Sequence, residues 1–342
     1  MVDIDQMGSG RPPTMADVAR LARVSPQTVS RVLNDYEFIR PDTRRRVLQT
    51  IERLGYRPNL AARTLATNRS RTIGVIATDF LSYGPATALW SVEEAARSAG
   101  YGVTIVTLAD ANFTAVRSAL ERLASQSVDG VVMIAPQDAS SHAAFVSFGQ
   151  LPVVTLSSYD DGDHKPVMLD SAEGSRIATR HLIGLWHRVI LHVAGSGGLS
   201  VSQSRVDGWR DALAEARLPT TEPLVGDWTA ASGYELGRQI ALDKEATAVY
   251  AANDRMAQGI LLALHEAGIR VPDDFSVVGF DDVPEAAYMI PPLTTVRQDF
   301  HTLGQRCIEA LLPLMDGEPP IRPEPLVPTL VVRASTAPPR FC

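Results

Sequence analysis

The chain is poor in cysteine and has almost no lysine. Among its 342 residues there are 2 cysteines, Cys307 inside a helical pattern and Cys342 at the end. That makes no disulfide framework and points to a reducing compartment. Neither cysteine has a second Cys or a His beside it at ligand spacing, and the 7 histidines are scattered. His181, His187 and His192 come nearest to a cluster, but they straddle a helix end and a strand, so no metal site is expected. No apolar run approaches the ~20 residues of a membrane helix. Met1 to Pro13 is polar and Gly/Pro-rich, without the apolar stretch of a secretory signal, and reads as a disordered arm of a cytoplasmic protein. Enzyme motifs are missing too. Gly195-Ser196-Gly197-Gly198 follows a strand but lacks the Lys-Ser/Thr of a phosphate loop. There is no G-x-S-x-G elbow. Asp160-Asp161 and Asp281-Asp282 have no base, nucleophile or metal set beside them. No catalytic residue and no cofactor are expected. Of the 32 basic residues only Lys165 and Lys244 are lysine, and no function is read from that bias.

The chain does have enough apolar residues, 45%, for sizeable cores, and a length that asks for two or three domains. Its net charge of −7 hides an asymmetry. Residues 1–70 carry 12 Arg against 7 Asp plus Glu, a net of +5, which leaves −12 for the remainder. A basic head on an acidic body suits a nucleic-acid-binding head on a different kind of core.

The head is the most specific stretch. Val18, Ala19 and Ala22 share one face of a first short helix; Val29, Val32 and Leu33 share one face of a second. Ser25 stands at an N-cap position and Pro26 follows at the first helical position. The polar face of the second helix carries Gln27, Thr28, Ser30, Arg31 and Asn34. Gln and Arg read adenine and guanine edges in a major groove, whereas Thr and Ser suit phosphates. Gln27 and Arg31 are therefore the candidate base readers, with Pro26 beside them. Thr14, Ser25, Thr28 and Asn34 are candidate phosphate contacts. A surface helical hairpin is the bland alternative, weakened by the agreement of caps, apolar spacing and polar face. A third helix spans about Pro41 to Leu54, closed by Gly55. Asn59 to Ala66 reads as a short helical segment after Pro58, and residues 67–71 as a linker.

From Thr72 short β-rich runs alternate with helical patterns. Strands are read at 72–78, 103–108, 130–135, 152–156, 167–170, 189–194, 246–252 and 275–280. Helices are read near 86–99, 113–126, 140–149, 171–185, 204–216, 231–243, 254–267 and 300–316. Near-continuous apolar strands between helices indicate α/β architecture, with parallel sheets covered on both faces. Their number suits two doubly wound lobes, with a ligand at the carboxyl ends of the strands.

From Thr14 to Thr336 the chain resembles the LacI/GalR family of bacterial transcription regulators. The resemblance rests on the head motif, on Tyr56-Arg57-Pro58-Asn59, and on a hinge with Leu65-Ala66. In the core it rests on Gly226-Asp227-Trp228, Ala252-Asn253-Asp254-Arg255-Met256-Ala257, Ser276 to Asp282, and Pro291 to Phe300. It implies a helix-turn-helix head over 14–57, a hinge helix and linker over 58–71, and a two-lobed, periplasmic-binding-protein-like clamshell over 72–336 that also dimerises, with 337–342 as a tail. It further implies chain crossings between the lobes near 158–165, 290–297 and 324–328.

As partners the resemblance implies double-stranded operator DNA, read as a pseudo-palindrome by a homodimer, and a small-molecule effector. In the head it adds Tyr56, Asn59 and Ala62 as DNA-binding candidates and Leu65 as a minor-groove wedge. In the core, Arg205, Asn253 and Asp281 match polar effector contacts, with Gln298 at a lobe crossover. Trp228 matches a stacking aromatic, Phe300 closes an apolar wall, and Thr78 and Asp79 stand at the end of the first core strand. Arg205 and Asp281 are expected to pair, so that neither charge is buried alone. Each has a structural alternative: Asn253 could cap the following helix, and Trp228 could be core.

Departures from the family pattern limit what carries over. Arg23 stands where the head's turn usually has Gly, at a cost of about 1 kcal/mol if φ is positive there. Arg40 replaces a capping Ser or Thr. Ser157 stands where a galactoside-binding member has an acidic sugar ligand, and Leu169 where it has an aromatic wall. A sugar inducer, a disaccharide or glycoside, fits the polar set; a purine corepressor is the alternative. An extracytoplasmic binding protein is excluded by the head. A C-terminal leucine-heptad segment is absent, which favours a dimer over a tetramer.

Overall fold

The computed structural model describes residues 12–33, 36, 38–57, 69–78, 82–109, 112–134, 148–149, 151–157, 167–196, 200–321 and 323–340. The chain divides into two compact units, Met1–Ser70 and Arg71–Cys342.

The first unit holds three helices: α1 (Met15–Ala22), α2 (Pro26–Leu33) and α3 (Pro41–Leu54). Each start and stop has a local cause. Thr14 and Asp17 form a capping box: the Thr14 side chain accepts the Asp17 N–H at 3.3 Å, and the Asp17 carboxylate accepts the Thr14 N–H at 3.0 Å. Ser25 Oγ accepts the Thr28 N–H at 3.1 Å. Gly55 ends α3 at φ 59°, where glycine has no Cβ penalty. Val18, Ala19, Ala22, Val29, Val32, Val47 and Tyr56 make the core. Arg46 on α3 donates to the Ala22 carbonyl at 2.8 Å, satisfying the end of α1.

The second unit contains two sheets. The strands of the first are β1 (Thr72–Thr78), β2 (Gly102–Leu108), β3 (Gly130–Ile134), β4 (Val153–Ser157) and β5 (Val167–Met168), in the order β2-β1-β3-β4-β5, all parallel. On one face lie α4 (Tyr83–Ser98) and α10 (Phe300–Met315), through Val92, Ala96, Leu303, Ile308 and Leu311. On the other lies α5 (Phe113–Ser125), through Val116, Leu120 and Leu123. Gly304 lets α10 approach α4, since a Cβ there would stand 2.4 Å from the Ser91 carbonyl oxygen.

The second sheet has β6 (Ile190–Ala194), β7 (Leu224–Val225), β8 (Ala248–Ala251), β9 (Ser276–Asp281), β10 (Thr294–Arg297) and β11 (Thr329–Val331), in the order β11-β10-β9-β8-β6-β7. Only β11 is antiparallel to its neighbour among these pairings. Helices α6 (Ser171–Gly184) and α7 (Ser200–Glu215) cover one face; α8 (Ala230–Ile240) and α9 (Asp254–Glu266) cover the other. These are the two doubly wound lobes expected.

Three details differ from the sequence reading. Strands β7, β10 and β11 went unread. The first lobe crossing lies between β5 and α6, because Val167 and Met168 still pair with β4. The second follows Arg297, because Thr294–Arg297 is a strand of the second sheet and α10 belongs to the first lobe. The third lies where expected: Leu326 bridges Leu169 in the first lobe and β11 begins at Thr329. The helix read near 140–149 and the segment 58–68 fall largely or wholly outside the described residues.

Candidate functional sites in head and core

In the head, α2 presents Pro26, Gln27 and Arg31 to solvent, with Thr28 and Ser30 half-buried. Ser25 and Thr28 bond each other through their hydroxyls at 2.9 Å. The Thr14 side chain is engaged in the capping box, so its local role is to start α1. Tyr56 lies in the head's core rather than on the polar face of α2. Arg23 has φ 53° and ψ 51°, the left-handed conformation suspected from the missing glycine. Arg40 precedes α3 without a side-chain cap bond. Asn34, Asn59, Ala62 and Leu65 lie outside the described residues.

In the core, the candidates gather where strands end. Asp281 terminates β9, Ala252 and Asn253 follow β8, and Gly195 and Ser196 follow β6. Arg205 reaches this end from α7 and is almost fully buried. Its Nη2 stands 3.5 Å from Asp281, its Nη1 donates to the Ala252 carbonyl, and its guanidinium lies 3.7 Å from the Phe280 ring centroid and 5.7 Å from that of Trp228. Its Nε has no hydrogen-bond partner among the described residues. Gln298 Nε2 donates to Asp281 Oδ1 at 2.7 Å. The expected Arg205–Asp281 pair is therefore present, with Gln298 as a third member.

Burial raises the Asp281 carboxyl to about 6, against the lowering pull of Arg205 and Gln298. Beneath it Asp254, the first residue of α9, accepts from Thr295 Oγ1 at 2.5 Å and from the Val283 N–H at 2.8 Å. Desolvation, reinforced by Asp281, raises it to about 8. Sequence reasoning quoted Asp254 only as part of a motif, and its place at the first position of a helix, where acidic residues are common, gave no further signal.

Trp228 has φ 71°, Asp281 109° and Asp282 54°. Three non-glycine residues in the left-handed half of the map at one site are a reservoir of local strain. The Trp228 indole N–H donates to Ser196 Oγ at 3.1 Å. Its ring fills the space over Gly195, where a Cβ would stand 1.9 Å from the indole, which accounts for that glycine without a phosphate. Asn253 does cap α9, accepting the Met256 N–H at 2.9 Å, and its Nδ2 donates to the Trp228 carbonyl at 3.0 Å. The structural alternative therefore accounts for both ends of its amide.

On the first lobe Thr78 and Ser157 end β1 and β4, both buried, with β3 between those strands. Phe300 is buried in that lobe's core and meets Tyr83 edge-on at 6.1 Å. Tyr83 packs on the cores of both lobes and senses the charges of Asp281, Asp282 and Asp254. It was not singled out from sequence, because one Tyr at a helix start carries no distinguishing pattern. Leu169 is in the first lobe's core, and Asp170 caps α6. Asp79 lies outside the described residues.

Two family signatures match the chain: "Bacterial regulatory proteins, lacI family" over residues 14–59 and "Periplasmic binding protein-like domain" over residues 179–336. The lactose operon repressor of Escherichia coli K12 is 32% identical over 95% of this chain and 91% of its own length. The chain belongs to the lacI family of bacterial regulatory proteins. Within this LacI family it is also 36% identical to the HTH-type transcriptional repressor PurR of Haemophilus influenzae, over 87% of this chain and 90% of that protein. The fold of the LacI-family lac repressor dimer, solved with operator and the anti-inducer ONPF, matches with a TM-score of 0.87 at 32% identity, covering 96% of this chain and 100% of that one.

Proposed function

We propose that this LacI-family DNA-binding transcriptional repressor releases a pseudo-palindromic operator when a sugar, a disaccharide or glycoside, binds between its core lobes. One observation carries the sugar reading. A buried guanidinium and a buried carboxylate stand at the strand ends beside an indole face, and the Arg205 Nε is left without a partner among the described residues. Vicinal hydroxyls supply both donors and acceptors to such a pair, and the indole covers the C–H face of a sugar ring. The similarity to the lactose operon repressor supports the same reading. Ser157, in place of an acid, argues against carrying over galactose specificity.

In the head, Gln27 and Arg31 are the base readers and Thr14, Ser25 and Thr28 hold phosphates. Two heads are needed for two half-sites, so the working form is a homodimer. Ligand acts through its difference in affinity between clamshell states. A corepressed regulator with a flat effector such as a purine is the second reading. Tyr83 and Trp228, both only partly buried, are the aromatic rings that would flank it, and repressors named PurR match this chain as well as the lactose relative does.

The test is fluorescence anisotropy on a labelled duplex enriched by the protein from a randomised pool, at fixed salt. Galactosides, glucosides, cellobiose and purines are titrated in turn. Release by a sugar is expected. Tightening by a purine would transfer the site to the second reading, and no response from any of them would sink both.

A further inference from the structure

Arg31 does not stand free on the DNA-facing side of α2. Its guanidinium carbon lies 5.3 Å from the ring centroid of Tyr36, in the loop before α3. The Tyr36 backbone is anchored at both its N–H and its carbonyl, and one neighbouring ring meets its own. The Tyr36 N–H donates to the Arg31 carbonyl at 3.0 Å, and Arg44 Nη2 donates to the Tyr36 carbonyl at 2.8 Å. Phe38 meets the ring edge-on, with centroids 5.9 Å apart and planes at 65°. Tyr36 is 48% exposed and Phe38 84%, so the pair is not there to fill the head's core.

We propose that Tyr36 is a positioning residue for Arg31, holding the guanidinium ready for a guanine edge. A free arginine side chain must give up many rotamers to reach a base. A guanidinium laid over an aromatic face has given up part of that freedom beforehand, while its N–H edge stays available for bidentate donation to O6 and N7. The ring acts through Arg31 and need not touch DNA. The inference rests on Arg31 being a base reader, so its test measures both.

Duplexes enriched by the wild-type protein from a randomised pool are used with the full-length chain, together with single-base-pair variants and a scrambled duplex, at fixed salt. Arg31→Ala identifies the base pair that Arg31 reads. Tyr36→Ala is expected to weaken binding by about two- to five-fold per half-site and to relax discrimination at that same base pair. Scrambled-duplex affinity stays unchanged. Tyr36→Phe, which keeps the ring, restores wild-type behaviour. In the Arg31→Ala background, Tyr36→Ala adds nothing. Wild-type specificity in Tyr36→Ala, tighter binding, or losses that multiply with those of Arg31→Ala would overturn the positioning role alone. If Arg31→Ala relaxes no base pair, the base-reading assignment fails first and the positioning role falls with it. Hydrogen exchange over 14–57 checks that the head still folds in each variant, and the Tyr36→Phe comparison carries the test if the alanine variant loosens it.

Discussion

Two carboxylates one layer apart in the second lobe give the core a pH signature. Asp281 stands at about 6 and Asp254 at about 8, both raised chiefly by desolvation from 3.8. A carboxyl raised in the folded state holds its proton more tightly folded than unfolded. It favours the fold on the acid side, and that contribution is lost as pH rises through the folded value. The buried His187 and His192 and the half-buried His181 work the other way. His181, His187 and His192 are lowered by burial, His192 to about 3, so they cost stability as pH falls below 6.5. Above pH 6.5, where the unfolded histidines are neutral as well, core stability is therefore expected to decline towards pH 8 through Asp254. The tryptophans all lie in the core unit, so melting followed by their fluorescence reports it. Asp254→Asn should lower stability overall, since one of two accepted hydrogen bonds loses its acceptor, yet flatten the decline above pH 6.5. Parallel profiles for the two proteins would show that Asp254 does not set the slope.

At the scale of the element, the two ends of the head's helices make a natural comparison. Gly55 closes α3 and Arg23 closes α1, both near φ 55°. Only glycine adopts that conformation without a Cβ penalty, so Arg23→Gly should stabilise α1 and the turn by roughly 1 kcal/mol, less the added freedom of the unfolded chain. Slower amide exchange across residues 15–33 would register it; unchanged exchange would mean the two terms cancel. The same elements show why so much of the fold was legible. Strand β1 and helix α3 have long apolar repeats and clear stops, so their bounds follow from pattern alone. Strands β7, β10 and β11 are 2, 4 and 3 residues long, too short for a period to declare itself, and β5, also of 2 residues, was legible only because Leu169 extends its apolar run. Thr294-Thr295-Val296-Arg297 was prominent as a motif and invisible as a strand for that reason. In the site, residues whose type is unusual for their place, such as Arg205 in a buried helix, were legible. Tyr83 was not, because its role comes from a ring meeting Phe300 across the fold, nor was Tyr36, whose ring reaches Arg31 only through the turn of the chain after α2.

For the whole molecule, the segment that leaves β10 for α10 is where the two lobes could report on each other. Gln298 is buried at that crossing, bonded to Asp281 of the second lobe, and two residues on Phe300 enters the first lobe's core against Tyr83. A ligand that engages Asp281 thus acts on a group already tied to the connection between lobes. Moving a two-state equilibrium from 1:99 to 99:1 takes about 5.5 kcal/mol of differential binding, and a buried charge-assisted hydrogen bond made in only one of the two states supplies about 1.5–3 kcal/mol of it. Gln298→Ala removes that bond while leaving the head's residues untouched. Operator affinity without effector should stay within about two-fold of wild type, and the concentration of the proposed effector for half-release should rise by roughly ten-fold or more. Anisotropy titrations of both proteins on the same duplex measure both quantities. An equal loss of operator affinity in the absence of sugar would mean that Gln298 supports the fold at large, and that the lobes are coupled through some other connection.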